Sequence, residues 1–208
     1  MRKVVAATLI ALALASLSVD EKSGLSLVRE ASASVSVLMS VDELVDVSSD
    51  VVIATAVERK SQWEDLPSGK RIVTYTRLVV DESVSGTGRA EIWVRTLGGK
   101  VGKIGQLVSG EAEIALDSRA LLFLAQVDDG SGRDVTIVAG MAQGHFPIDE
   151  AGNEPRLKAS PDAGLLLPRR GPAISAQEVL VGRKLTEARG VVRASMGRKI
   201  ENGQKRKN

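Results

Sequence analysis

The chain has 208 residues, no cysteine, a single histidine and five aromatic side chains, and its formal net charge is +2. The missing cysteines exclude disulfides, thiolate metal sites and a cysteine nucleophile, and one histidine cannot build a multi-histidine metal site. A core poor in aromatics must be filled by Val, Leu and Ile, which suits strands.

The first segment has the order of an export signal. Met1-Arg2-Lys3 is a positive start, residues 4–17 are mostly apolar, and small residues follow. Such a run matches the apolar region of a signal peptide and falls short of the roughly 20 apolar residues of a spanning helix. Cleavage is expected after Ala15 or Ala33, so residues 1–33 read as signal and leader and the protein as secreted or periplasmic. No transmembrane helix is expected after the signal is removed. No cysteine follows the apolar run, which excludes a lipid-anchored lipoprotein.

Residues 34–148 are expected to form one β domain. Ser40-Val41-Asp42-Glu43 fits a capping box that opens a short helix. Residues 51–57 are too apolar for a half-exposed strand and predict one buried on much of both faces. Trp63 to Gly69 reads as a hairpin-style connection, and residues 71–84 as a long β-branched strand that bends to serve two sheets. Gly86-Thr87-Gly88 is a turn, residues 91–95 a strand, and residues 119–127 a second deeply buried strand. Asp128-Asp129-Gly130-Ser131-Gly132 predicts a hairpin turn, followed by strands at residues 135–139 and 145–148. Residues 149–174 are a Pro- and Gly-rich surface connector. Ser175-Ala176-Gln177-Glu178 repeats the capping box and opens a helical segment over residues 175–195, divided near Gly182. Residues 196–208 read as a basic disordered tail.

Charge is unevenly placed. Residues 169–208 hold eleven basic and three acidic side chains, whereas residues 34–168 hold thirteen basic and twenty acidic. The basic end could contact an anionic surface or simply be solvated.

Motif chemistry is sparse. The glycines of residues 98–105 miss the P-loop spacing and lack its Ser or Thr after the lysine. His145 would have to serve as the base of any serine triad, yet no serine sits in a G-x-S-x-G elbow. The Asp128-Asp129 turn lacks the alternating ligands of a calcium loop. Catalytic residues, metal ligands and cofactor sites are therefore expected to be absent. The expected ligand rim comprises Lys100 and Lys103 in a glycine-rich loop, with Gln143, His145, Phe146 and Trp63.

Several segments resemble the netrin-like module, the OB-fold barrel of the tissue inhibitors of metalloproteinases. They are Asp50-Val51-Val52-Ile53 with Val57, Tyr75 through Glu82 to Gly86, and Leu121-Leu122-Phe123-Leu124. The chain is also similar to a group of uncharacterised secreted bacterial proteins through Gly98-Gly99, Val101-Gly102, Ile104-Gly105, Val108, Gly110, Gly140, Ala142-Gln143-Gly144 and Phe146. The resemblance covers about residues 41–148 and implies a mainly β fold: an OB-like closed barrel of five or six strands with short helices before and after. The inhibitors chelate protease zinc through an N-terminal cysteine, which this chain lacks. The reading is an exported, non-enzymatic binding module. A modulator or inhibitor of a secreted protease is the alternative, with a cell-envelope component as another possible partner. Single-strand nucleic-acid binding is a further alternative, disfavoured by the acidic body and few aromatics.

Overall fold

The computed structural model describes residues 36–164, 166–167 and 174–205. The expected leader, residues 1–33, part of the connector and the last three residues lie outside the described residues. In chain order the elements are β1 (Ser36–Val37), α1 (Val41–Val47), β2 (Asp50–Leu66), β3 (Gly69–Ser85), β4 (Glu91–Leu97), β5 (Gly99–Val101) and β6 (Ile104–Gln106). Then come β7 (Arg119–Asp128), β8 (Asp134–Val138), a short 3-10 turn at Met141–Gly144, β9 (His145–Asp149), β10 (Arg156–Leu157), β11 (Leu166–Leu167), α2 (Ala176–Leu180) and α3 (Leu185–Lys205).

The protein is mainly β, built on a seven-stranded sheet in the order β10-β9-β7-β2-β3-β4 with β8 also paired to β7. All of its ladders are antiparallel. The sheet coils enough to bring β4 alongside β8, although no ladder joins them among the described residues.

Both faces of the central strands are covered, which explains the uninterrupted apolar runs in the sequence. Val51 and Ile53 of β2, with Leu121 and Phe123 of β7, face one core shared with α1, α2 and α3. Their alternating neighbours Val52, Ala54, Ala56, Ala120, Leu122 and Leu124 face a second core with Leu78, Ile92, Val94 and Val138. Period-two alternation thus persists, but both phases are apolar because both faces are buried. Ala112 and Ile114, in the segment after β6, pack into this second core.

β2 is longer than the sequence suggests. Its first half pairs with both β7 and β3, whereas residues 58–66 pair with β3 alone. Register shifts near Val57 mark the change. The turn expected from Trp63 onward is confined to Pro67-Ser68, so Trp63 lies within the strand. Partner residues of β3 such as Ile72, Val73 and Tyr75 have the strand preference that Glu58, Lys60 and Gln62 lack, and the two segments form a projecting arm.

Both capping boxes form. The Ser40 hydroxyl accepts from the Glu43 amide while the Glu43 carboxylate accepts from the Ser40 amide, and Ser175 and Glu178 repeat the arrangement. The expected disordered tail requires correction. α3 runs on to Lys205, past Ser195, because residues beyond the expected end find partners on α1. Ser195 and Arg198 both donate to the Asp42 carboxylate, and Lys199 donates to the Val45 and Asp46 carbonyls at 2.9 and 3.1 Å. A cation at those last carbonyls completes the α1 terminus. Arg189 and Arg193 both reach Glu82 of β3. Arg189 and Arg193 thus hold the helix to the sheet, and Arg198 and Lys199 hold it to α1.

Candidate functional site

The six residues expected to form one rim fall into two groups. Gln143, His145 and Phe146 are buried, which corrects their assignment to an exposed surface. The Gln143 side chain accepts from the Met39 amide at 2.9 Å and donates to the Val37 carbonyl at 3.0 Å, pinning the extended segment before α1. Phe146 meets Phe123 edge to face with centroids 6.0 Å apart. Nδ1 of His145 lies 3.2 Å from the Ser160 hydroxyl. Gly144 is the reason this segment goes inside: a Cβ there would lie 2.3 Å from the Ala139 carbonyl oxygen, so the chain approaches too closely for a side chain.

Ser160, His145 and Asp162 have the membership of a catalytic triad but not its access. His145 and Ser160 are both buried, and Asp162 instead accepts a hydrogen bond from the Glu113 amide at 3.0 Å. Burial pushes the His145 pKa down to about 4, against the pull of the Asp162 charge. A buried base with so low a pKa serves packing better than proton transfer at neutral pH. Among the described residues no three His, Cys, Asp or Glu side chains converge to hold a metal ion, and no helix is long and apolar enough to cross a membrane.

Lys100, Lys103 and Trp63 are exposed. The two lysines belong to the small β5–β6 hairpin, which is fastened to the β2–β3 arm. The Gln106 side chain accepts from the Ile72 amide at 2.8 Å, the Gly98 amide donates to the Ile72 carbonyl at 2.8 Å, and the Thr74 hydroxyl donates to the Gly98 carbonyl at 2.6 Å. At Gly99, with φ of +124°, a Cβ would lie 2.2 Å from the Thr74 hydroxyl and 2.6 Å from that of Ser61. The glycine pair therefore lets the hairpin backbone settle directly on the arm. Trp63 is two residues from Ser61 on an unbroken stretch of ladder, so the two share a face. That face carries the hairpin, which also displays Ile104 and, just after it, Leu107 at 84 % exposure.

A second polar cluster was not singled out in the sequence. Tyr75 of β3 donates to Glu64 of β2 at 2.8 Å, and Gln62 donates to the same oxygen at 2.9 Å. Arg95 of β4, directly opposite Tyr75, lies 3.7 Å from the other Glu64 oxygen and 3.9 Å from Asp129 in the β7–β8 turn. Asp129 is held well below the usual carboxylate range by the Ser131 hydroxyl and amide, with Arg133 adding its charge. Glu111, also near Arg95, is pushed up to about 7 by burial, against a backbone hydrogen bond from Leu97 and the Arg95 charge. Tyr75 is raised by burial and then by Glu64. The available signal was the polar interruptions Tyr75 and Arg95 within apolar strands, but only the folded register sets them opposite each other.

No known family model, no curated protein and no solved structure matches this chain.

Proposed function

We propose that this protein is an exported, non-enzymatic module that binds an acidic partner protein through the β5–β6 hairpin. The observation that carries the reading is the mixed surface of that hairpin. Leu107 and Ile104 are exposed beside Lys100 and Lys103, and Trp63 stands on the same face of the arm. Apolar side chains held out between cations suit a partner with an apolar patch ringed by carboxylates, because burial supplies affinity while charge supplies steering and orientation. The hairpin is anchored before any partner arrives, which lowers the ordering cost of association. Export rests on the signal-like order of residues 1–33. The approach of β4 to β8 supports an OB-like, netrin-like barrel as the finer description of the fold. A secreted protease is one partner class compatible with this surface.

The test is photo-crosslinking in producing cells. A photoreactive residue in place of Leu107 should capture one dominant protein, and the combined Lys100→Glu and Lys103→Glu variant should lose that adduct. Identical adducts in the double variant, or the same pattern from a probe placed at Asn153 on the far connector, would refute the proposal.

A further inference from the structure

The tip of the β2–β3 arm meets the β7–β8 turn. A Cβ added at Gly130 would lie 2.6 Å from the Pro67 ring. Between the two tips lie three buried charges: the side chains of Glu64, Arg95 and Asp129 are 10 %, 9 % and 1 % exposed. Their geometry is poor for so dry a place. The Arg95 contacts to Glu64 and Asp129, at 3.7 and 3.9 Å, are too long for hydrogen bonds. Among the described residues, neither Glu64 Oε2 nor Arg95 Nη1 has a hydrogen-bond partner. Closing the tips therefore desolvates three charges and leaves two of their polar atoms unsatisfied, a cost that opening would relieve.

On the β2 half of the arm little apolar packing opposes that relief, and the buried residues lie on β3. Ile72 and Val73 of the arm are fully buried, yet neither belongs to the two cores that hold β2 and β7. Residues 57–66 contain no buried residue, in contrast to residues 50–54 at the start of the same strand. The firm bonds near the seam stay on one side of it. Tyr75 and Gln62 bind Glu64 within the arm, and Arg133 binds Asp129 within the turn at 2.7 Å. The groups facing Arg95 are Glu64 of β2, Tyr75 of β3, Glu111 of the segment after β6, and Asp129 with Arg133 of the turn.

We infer that Arg95, Glu64 and Asp129 form a latch between the arm tip and the β7–β8 turn, whose opening frees the arm tip, lets its β2–β3 ladder fray and exposes Tyr75 and Arg95 while both cores stay folded. The latch is independent of the partner proposed for the β5–β6 hairpin, and its test needs no partner.

Hydrogen exchange read by mass spectrometry on the full chain tests it. In the wild type, amides of residues 60–66 and 69–75 should exchange at least about tenfold faster than those of residues 121–124, as expected of a sub-global opening. Arg95→Met removes the guanidinium that stands beside both the Glu64 and the Asp129 carboxylates, while Asp129 keeps Arg133. The substitution should speed exchange of the arm by about a hundredfold or more while residues 121–124 stay unchanged. The neutral triple variant Glu64→Gln, Arg95→Met, Asp129→Asn removes the buried charges together and should bring arm exchange below the wild-type rate. Equal exchange of arm and β7 in the wild type would overturn the inference. So would an Arg95→Met arm no faster than wild type, or a triple variant as fast as Arg95→Met.

Discussion

Acidification below pH 6.5 should remove the stability that this protein draws from its buried, neutral histidine. His145 is 3 % exposed at the start of β9, and burial lowers its pKa from 6.5 to about 4, opposed by Asp162. Between these values the unfolded chain binds a proton that the folded chain refuses. Stability from this group is thus present above pH 6.5 and lost as pH falls towards 4, where the loss is complete. Each pH unit of difference is worth about 1.36 kcal/mol, so a shift of roughly 2.5 units amounts to about 3 kcal/mol. That is a large part of the roughly 5–15 kcal/mol that stabilises a typical domain. Urea unfolding at pH 7.5, 6, 5 and 4.5 would read it, with His145→Gln as the comparison because an amide can still bond Ser160. The wild type should lose roughly 2–3 kcal/mol more than the variant over this range. Parallel pH profiles for the two proteins would refute the reasoning. Glu111 works in the opposite sense. Its folded pKa of about 7 lies above 4.5, so its contribution is present below pH 4.5 and lost as pH rises through 7.

Two further substitutions probe how the elements are set. Gly86 has φ of +109°, and a Cβ there would lie 2.3 Å from an Asp50 carboxylate oxygen and 2.9 Å from the Asp50 Cα. That carboxylate is buried; burial acts to raise its pKa, but hydrogen bonds from Thr87 and Ser49 and the Arg89 charge hold it below the usual range. Gly86→Ala should therefore cost about 2 kcal/mol or more in chemical denaturation, through strain and displacement of this turn. Ser40→Ala removes the acceptor for the Glu43 amide and should cost about 1 kcal/mol, seen as a lowered Tm with the near-UV spectrum retained.

Much of the architecture was legible because it depends on short-range pattern. The two helix starts follow from Ser and Glu three residues apart, since the bonds that make a capping box are local. The buried strand centres at residues 51–54 and 120–125 follow from their uninterrupted apolar runs. The site was less legible. Lys100, Lys103 and Trp63 stand on the surface as expected, whereas Gln143, His145 and Phe146 point inward. Glycines flanking those three signalled close approach of the backbone, and the sequence does not say whether a ligand or the protein's own chain approaches. Here it is Ala139 and Phe123.

By itself the sequence determined a cysteine-free β protein with an aliphatic core, capped helices on either side, and neither a thiolate nor a multi-histidine metal site. Tertiary structure alone decided that β2 and β3 run on as an arm, that α3 continues past Ser195, and that Arg95 sits between Glu64 and Asp129. The physical reason is range. Caps and alternation act over a few residues, but Arg198 is held by Asp42 and Arg95 is brought near Asp129 only once the chain has folded back on itself.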